Sequence, residues 1–208
     1  MMEQGTPEWF QARLGRVTGS RIADVMMAKT TAGYQNYRAQ LICERLTGNP
    51  TESFTSAAMQ HGTDTEPQAR AFYEMETGHD VQQVGFINHP ALFAGVSPDG
   101  LIGDLGGVEI KCPQPAEHIR TLTGGAIKRP YLLQMQWGMV CTAREWWDFV
   151  SFCPMLPDEM QMMRQRVDFD AELGQEITAA VTSFLADVDA AISDLSSRYR
   201  KAAQCSTR

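Results

Sequence analysis

Apolar residues recur at helical spacing in four parts of the chain, and each of these patterns predicts a helix. The predicted helices cover residues 33–46, 57–77, 130–141 and 170–196. Pro67 interrupts the second pattern, which indicates either a kink near Glu66 or a helix that begins there. The apolar stripe of the last helix is long and narrow, and the sequence leaves open whether it packs on the domain or against another subunit. Residues 197–208 are basic and polar, which predicts a frayed tail.

Short segments rich in β-branched and aromatic residues lie between these helices and are typical of strands. The predicted strands cover residues 81–87, 92–96, 108–112, 145–152 and 160–167. Pro98-Asp99-Gly100 and Gly106-Gly107 are interpreted as turns between strands. Strands that alternate with helices in this way predict an α/β fold in which helices flank a mixed central sheet, and they argue against a helix bundle or a β-sandwich.

Length and composition narrow the class of protein. A chain of 208 residues with 43% hydrophobic and 21% charged residues is typical of one globular domain. We expect its core over about residues 5–168, followed by the amphipathic helix and the tail. The cysteines lack CxxC spacing, which argues against a disulfide framework, a structural zinc site or an iron–sulfur cluster. No apolar run is long enough to span a membrane, and residues 1–10 lack the features of a signal peptide, so we expect a cytoplasmic protein without a membrane partner.

The charge of the chain is unevenly distributed. The net charge is -7, which taken alone argues against nucleic-acid binding. The excess negative charge is concentrated in residues 51–110, which contain nine acidic residues and one basic residue. Such an acidic segment is either a solvated face or a set of carboxylates that holds a divalent cation.

The second interpretation gains weight from the spacing of Asp99, Glu109 and Lys111. Alternate side chains of a strand point to the same face, so Glu109 and Lys111 share one face of the third strand. A hairpin that returns through Gly106-Gly107 would bring Asp99 beside Glu109. Two carboxylates and a lysine suit phosphodiester hydrolysis, since the carboxylates bind Mg²⁺ and the ammonium assists the nucleophile or the developing charge. The alternative is a surface hairpin with a salt bridge. This alternative stays open because so short a pattern often recurs by chance.

Further stretches stand around this trio in a fixed order. Glu66 lies on a predicted helix before it, and Gln134 lies on a predicted helix after it. This order resembles the PD-(D/E)xK nuclease core and, more closely, the phage-lambda-type exonucleases, also called YqaJ-type viral recombinases. The resemblance covers about residues 5–155. It rests on the stretches Trp9 to Ser20, Glu66 to Arg70, Ser97 to Leu101, Glu109 to Pro113 and Gln134 to Gln136.

The resemblance implies a role for each matching residue. Asp99 and Glu109 match metal-binding carboxylates, the backbone carbonyl of Ile110 matches a further ligand, and Lys111 matches the catalytic lysine. Glu66 matches the helix acid that completes the acidic cluster. Gln134 matches a glutamine that helps to orient the site.

Three residues match the family's pocket for a 5′-terminal phosphate: Arg13, Ser20 and Ser97. Arg13 also fits a surface arginine on a helix, and Ser97 also fits a serine that stabilises its own turn. Trp9 fits either a residue that stacks on a DNA base or a core aromatic residue. His61 could approach a metal ion or serve as a capping or core histidine.

The resemblance implies a restriction-endonuclease-like core and a Mg²⁺-dependent 5′→3′ exonuclease that acts on double-stranded DNA ends and leaves a 3′ overhang. It also implies two metal ions with Mn²⁺ as a substitute, a ring-shaped homotrimer, a single-strand annealing recombinase as partner, and a phage or prophage protein in the bacterial cytoplasm. Two other classes remain open: a sequence- or structure-specific PD-(D/E)xK endonuclease, and a non-enzymatic module that binds DNA ends. Cleavage of circular DNA would distinguish the first, and absence of Mg²⁺-dependent nucleotide release would distinguish the second.

Overall fold

A computed structural model describes residues 3–51 and 56–205. Within these ranges the α-helices are α1 (Pro7–Arg13), α2 (Ile22–Val25), α3 (Ala32–Thr47), α4 (Ala57–Thr77), α5 (Pro115–Leu122), α6 (Arg129–Thr142) and α7 (Ala171–Cys205). The strands are β1 (Val17–Thr18), β2 (Val81–Gln82), β3 (Ile87–Asn88), β4 (Ala94–Val96), β5 (Gly100–Ile102), β6 (Gly106–Lys111), β7 (Trp146–Phe152) and β8 (Met162–Asp168). The predicted α/β class and the mixture of strands and helices are confirmed.

The strands form two sheets. The larger has the order β2-β5-β6-β7-β8, in which β6 and β7 are parallel and the other neighbours are antiparallel. The smaller has the order β1-β4-β3, in which β1 and β4 are parallel and β3 and β4 are antiparallel. The chain leaves β4 of the smaller sheet and enters β5 of the larger one within a few residues, so the segment with Asp99 joins the two sheets.

Helices cover both faces of the larger sheet. On one face, Ala69 and Tyr73 of α4 pack against Val108 and Ile110 of β6. On the other face, α6 supplies Met135 and Met139, which pack with residues of β5 and β7. Successive side chains of β6 point to opposite faces of the sheet. Val108 and Ile110 therefore face α4, and Glu109 and Lys111 lie on the face that α6 covers.

A second core lies beside the smaller sheet. The apolar stripe of α7 supplies buried residues to this core, which also includes residues of α2, α3 and α6. The stripe residues buried there are Ile177, Val181, Phe184, Leu185 and Val188. The stripe therefore packs within the chain, which resolves the alternative that the sequence left open.

The C-terminal helix is longer than predicted. Helix α7 continues to Cys205 and includes most of the residues predicted as a frayed tail, so the predicted end at residue 196 is wrong. The physical reason is that this segment contains good helix formers such as Ala, Arg, Lys and Gln, and contains neither Gly nor Pro. A search of the described ranges finds no helix with the length and apolar character that a membrane span requires.

Helix α4 begins ten residues before Pro67. Ser56 caps it by accepting a hydrogen bond from the backbone N–H of Met59, and the helix continues through Pro67. The alternative that a helix begins at Glu66 is therefore wrong. Glu66 and Arg70 lie one turn apart in the middle of α4, a spacing that brings their side chains into contact.

Two strand predictions need correction. The predicted strand over residues 81–87 is two strands, β2 and β3, which belong to different sheets. Gly106 and Gly107 are not a turn but the first residues of β6. A Cβ atom at Gly107 would lie 2.5 Å from the ring of Trp147, so glycine is required there by the close approach of an aromatic side chain from the neighbouring strand.

Candidate active site

The hairpin of β5 and β6 brings Asp99 beside the strand that carries Glu109. Asp99 directly precedes β5, and Gly100 pairs with Val108 in the antiparallel register. The Asp99 carboxylate accepts a hydrogen bond of 2.7 Å from the backbone N–H of Ile110. The neighbourhood of Asp99 and Glu109 that the sequence predicts is therefore present, and the Asp99 side chain is tied to the backbone between Glu109 and Lys111.

Glu109 and Lys111 share a face of β6, as the period of the strand predicts. Their carboxylate and ammonium groups are in direct ionic contact. Glu109 is 2% exposed, whereas the Lys111 side chain is partly open to solvent. The ring of Tyr131, in the first turn of α6, lies 5.1 Å from the Lys111 ammonium, within the range of a cation–π contact.

Burial and neighbouring charges shift the pKa values of the acidic residues and of Lys111. Burial raises the pKa of Glu109, and the charges of Asp99 and Glu66 add to this effect against the opposing effect of Lys111. Burial also raises the pKa of Asp99, while Lys111 and the hydrogen bond from Ile110 lower it. Although burial lowers the pKa of Lys111, the charges of Glu109 and Asp99 outweigh burial and raise it. Three acids and one lysine thus interact as one charged group.

Glu66 joins this group from helix α4. Burial and then the charge of Asp99 raise the pKa of Glu66 to about 7, while Arg70 and Lys111 lower it. The Glu66 carboxylate forms an ion pair with Arg70 one helical turn away. Glu66 therefore takes the position that the sequence predicts for the third acid, and it brings a basic partner that the sequence analysis did not assign.

The acidic group opens onto a cleft of about 870 Å³. Four of the predicted site residues lie along this cleft: Arg13, Ser20, Glu66 and Asp99. Glu109 is buried and is not part of the lining. Two of the predicted acidic residues, Glu66 and Asp99, and two of the predicted phosphate-binding residues, Arg13 and Ser20, thus share one opening to solvent.

Arg13 and Ser97 meet at one end of this arrangement. The guanidinium of Arg13, the last residue of α1, donates a hydrogen bond of 3.3 Å to the Ser97 hydroxyl and lies 3.8 Å from the ring centre of Trp9. The Trp9 indole N–H donates a second hydrogen bond of 2.9 Å to the same hydroxyl. Trp9 is half-buried and helps to line the cleft, so it is not a core aromatic residue. Burial lowers the pKa of Arg13, and the nearby Tyr37 and Glu44 oppose that effect.

Ser20 lies on a turn that packs beside α6, the helix that carries Gln134. Ser20 is exposed on the short 3-10 helix Gly19–Arg21. A Cβ atom at Gly19 would lie 3.6 Å from the side chain of Gln134, which places Gln134 next to this turn. Among the residues that the structure describes, no hydrogen bond links the Gln134 amide to Glu66, Asp99 or Glu109. His61 lies on α4, where Ser56 is the cap.

The site has the chemistry for Mg²⁺ but not a complete ligand cage. Within residues 3–51 and 56–205, no group of three His, Cys, Asp or Glu side chains is arranged to hold a metal ion on its own. Mg²⁺ is usually bound by one or two carboxylates, with water and substrate phosphate as its other ligands. Asp99 and Glu109 supply this number of hard oxygen ligands, and a cation would relieve the repulsion that raises their pKa values. The residues present therefore fit a magnesium ion.

The sequence does not by itself assign three contacts at the site. The ion pair of Arg70 with Glu66 has the i to i+4 spacing that could have indicated it. The hydrogen bond of Trp9 to Ser97 joins residues 88 positions apart, and no local pattern indicates it. The contact of Tyr131 with Lys111 likewise depends on how α6 packs on the sheet.

Comparisons with known proteins agree with this architecture. The sequence profile of the YqaJ-like viral recombinase domain matches residues 8–145. The crystal structure of an alkaline exonuclease, LHK-Exo from Laribacter hongkongensis, is 51% identical, covers 96% of this chain and 100% of its own, and has a TM-score of 0.88. LHK-Exo in complex with dAMP matches equally well. A search of curated proteins found no significant match.

A more distant structure shares the fold. The phage-related exonuclease from Haemophilus somnus 129PT is 15% identical, covers 86% of this chain and 96% of its own, and has a TM-score of 0.69. The predicted family and the restriction-endonuclease-like fold are confirmed. With a profile match over residues 8–145 and 51% identity to a solved exonuclease along nearly the whole chain, the protein belongs to the YqaJ-like viral recombinase family.

Proposed function

We propose that the protein is a Mg²⁺-dependent 5′→3′ exonuclease that degrades one strand of double-stranded DNA from its ends and leaves a 3′ overhang for single-strand annealing recombination. The family and the 51% identity with LHK-Exo show that the chain is a deoxyribonuclease of an exonuclease family. One observation carries the proposal. The Asp99, Glu109 and Lys111 group lies beside a cleft that also contains Arg13.

The proposed chemistry divides between the acids and the lysine. Asp99, Glu109 and the carbonyl of Ile110 would hold Mg²⁺, which would supply activation of a water molecule and charge on the scissile phosphate. The side chain of Lys111 contributes a positive charge, because Glu109 and Asp99 raise its pKa and keep the ammonium protonated. This ammonium stabilises negative charge that develops as the phosphodiester bond breaks. Glu66 completes the negative surroundings that favour a cation, and we propose two ions in total, with Mn²⁺ as a substitute.

Arg13 accounts for the proposed 5′→3′ polarity of strand degradation. Guanidinium groups bind phosphate through paired, charge-assisted hydrogen bonds. Arg13 and Ser97 form a hydrogen-bonded pair in which Arg13 donates, and Arg13 and Ser20 both lie on the cleft lining. A terminal 5′-phosphate held by this pair would place the first phosphodiester bond at a fixed distance from the acidic group. Polarity then follows from the distance between the phosphate pocket and the catalytic residues.

The assembly and location are part of the same proposal. The protein would form a homotrimeric ring around DNA and deliver its 3′ overhang to a single-strand annealing recombinase, as a phage or prophage protein in the bacterial cytoplasm. A ring would let a chain with a net charge of -7 retain DNA, because contacts along an inner channel do not require a basic outer surface. Light scattering of the purified protein tests this, with a mass three times that of the 23.1 kDa chain as the expected result and a monomer as the contradicting one.

A comparison of linear and covalently closed circular duplex DNA tests the proposed activity. Mononucleotide release is measured during a Mg²⁺ titration, with Asp99→Ala as the matched inactive variant. We expect release from linear DNA that depends on Mg²⁺, no cleavage of the circle, and weaker Mg²⁺ binding by Asp99→Ala in calorimetry. Cleavage of the circle would instead indicate an endonuclease. Binding of DNA ends without nucleotide release at any Mg²⁺ concentration would indicate a non-enzymatic module.

A further inference from the structure

Arg70 is an isolated positive charge in the most acidic part of the chain. It is the single basic residue among residues 51–110, which contain nine acidic residues. Its side chain is 13% exposed, and it lies along the same cleft as Glu66 and Asp99. Because a buried guanidinium is costly unless its N–H groups are paired, its partners indicate what it does.

Two partners hold the guanidinium of Arg70. One terminal nitrogen forms the ion pair with Glu66. With the Gln83 amide oriented to satisfy its neighbours, the Gln83 side-chain oxygen accepts from both terminal nitrogens, at 2.5 and 3.1 Å. The Nε atom is buried, and no acceptor for it is found among the residues that the structure describes. Glu66 on α4 and Gln83 after β2 therefore fix Arg70 from two different elements.

This arrangement makes Arg70 a support for Glu66. One guanidinium nitrogen pairs with Glu66 and the Gln83 oxygen accepts from both terminal nitrogens, so the planar guanidinium presents its charge to the Glu66 carboxylate from a fixed position. Among the described residues, Arg70 donates the one hydrogen bond that the Glu66 carboxylate accepts, and no residue of the β5–β6 hairpin is hydrogen-bonded to it. The positive charge of Arg70 lowers the pKa of both Glu66 and Asp99 against burial.

We propose that Arg70 is a positioning residue that acts through Glu66: held by Gln83, it keeps the Glu66 carboxylate on the wall of the cleft that Asp99 shares, and it does not bind DNA itself. This inference rests on the proposed exonuclease function and extends it. It predicts that the effects of Arg70 and Glu66 on turnover are the same effect, because removal of either one disrupts the same carboxylate.

A double-mutant cycle tests this coupling. The variants Arg70→Met, Glu66→Gln and the double variant are assayed for kcat and KM on a 5′-phosphorylated linear duplex. We expect each single change to lower kcat about tenfold to a hundredfold, the range for residues that support a metal-site carboxylate. We expect the double variant to be no slower than Glu66→Gln, with KM for DNA within about twofold of the parent value. Arg198→Met, which removes an arginine with the same i to i+4 acidic partner on exposed α7, should leave kcat unchanged.

A second variant keeps the test valid if Arg70→Met fails to fold by circular dichroism. Gln83→Ala removes one side of the support from an exposed residue, and it should lower kcat in the parent but not in the Glu66→Gln background. The inference is overturned if the Arg70 or Gln83 losses multiply with the Glu66→Gln loss. It is also overturned if Arg70→Met mainly raises KM and weakens the salt dependence of DNA binding, the result expected of a direct phosphate contact. A parent that releases no nucleotide would refute the proposed function instead.

Discussion

Lys111 has surroundings that suit its proposed catalytic role. Glu109 contacts its ammonium, Asp99 adds a second negative charge, and the ring of Tyr131 lies over it. These groups hold the ammonium charged and in one place before any substrate arrives. Electrostatic groups that are ordered in advance contribute most to catalysis, since they need no rearrangement as charge develops.

Replacement of Lys111 should therefore lower turnover strongly and leave folding nearly unchanged. We expect Lys111→Met to lower kcat by on the order of 10²- to 10³-fold, the range for loss of one preordered electrostatic group. Far-ultraviolet circular dichroism and DNA binding should remain close to the parent. Lys29→Met is the matched control, because Lys29 pairs with Asp187 away from the cleft. A folded Lys111→Met protein that degrades linear duplex at the parent rate would show that the assignment of the lysine is wrong.

Arg13 is the residue that we expect to bind the 5′-phosphate at the DNA end. We expect the parent enzyme to degrade 5′-phosphorylated ends faster than 5′-hydroxyl ends, and Arg13→Ala to remove the difference. A charge-assisted hydrogen bond of about 1.5–3 kcal/mol corresponds to a preference of roughly tenfold to a hundredfold. Initial rates on both kinds of end, for the parent and for Arg13→Ala, measure it.

A companion variant separates phosphate binding from local structure, because Arg13 also contacts Trp9 and Ser97. Arg13→Lys keeps the positive charge but not the fork, so it should retain part of the preference. If the preference survives Arg13→Ala unchanged, the contact belongs to another arginine along the cleft, with Arg16 and Arg21 as the next candidates.

At the scale of elements, the β5–β6 hairpin explains why much of the site could be predicted. The side-chain period of a strand places Glu109 and Lys111 on one face, and the hairpin brings Asp99 to that strand; both are local consequences of sequence. The two glycines show the limit of such reasoning. Gly106 and Gly107 were expected to form a turn, but Trp146 and Trp147, about forty residues later, cover them within β6. Only the packed sheet reveals that requirement.

Other elements depend on contacts that no local pattern contains. β2 and β3 were expected as one strand, yet each pairs with a different sheet. The short helices α1 and α5 and the strand β5 were not predicted, because segments of three to eight residues carry too few apolar positions to show a period. The pairing of Trp9 with Ser97 belongs to the same class, since it depends on where α1 docks.

Strands β7 and β8 are joined by a buried charge at Asp148. Asp148 is 1% exposed and accepts hydrogen bonds from Tyr73 at 2.6 Å and from Arg166 at 2.9 and 3.1 Å. Burial raises the pKa of Asp148, but the hydrogen bonds from Arg166 and Tyr73 and the charges of Arg166 and Arg164 outweigh burial and hold the pKa below its ordinary value. Asp148 therefore links α4, β7 and the edge strand β8.

This network should stabilise the fold in a pH-dependent way. We expect Asp148→Asn to lower the free energy of unfolding by about 1.5–3 kcal/mol near pH 7, the value of a hydrogen bond to a charged group. A carboxyl group with a lowered folded-state pKa stabilises the fold above its unfolded-state pKa, about 3.9, and the stabilisation is lost as pH falls through the folded-state value. Urea unfolding of both proteins at pH 7, 5 and 3 measures the difference.

The difference between parent and Asp148→Asn should persist at pH 5 and shrink towards pH 3. Asp194→Asn is a suitable control, because Asp194 forms an exposed pair with Arg198 on α7 and should change stability by about 0.5 kcal/mol or less. A difference that stays constant down to pH 3 would show that the ionised carboxylate of Asp148 is not the stabilising form.

Across the molecule as a whole, the net charge of -7 is unevenly distributed. Four arginines and four acidic residues line the cleft of about 870 Å³: Arg13, Arg16, Arg21, Arg70, Glu3, Glu44, Glu66 and Asp99. Arg70 is paired with Glu66, whereas Arg13, Arg16 and Arg21 come from one short stretch of the chain and can attract phosphate locally even when the sum of charges is negative. The sequence showed the acidic segment, but the gathering of arginines from α1, the following turn and α4 is visible only in the fold.

The direction of strand degradation directly tests the proposed 5′→3′ exonuclease activity. A linear duplex with 5′-phosphates carries one label at the 5′ end and a different label at the 3′ end of the same strand, and the release of each label in Mg²⁺ is followed over time. A 5′→3′ exonuclease should release the 5′ label first, as a mononucleotide, while the 3′ label stays in a shortening strand. Earlier release of the 3′ label, or early internal cuts that leave long fragments, would contradict it.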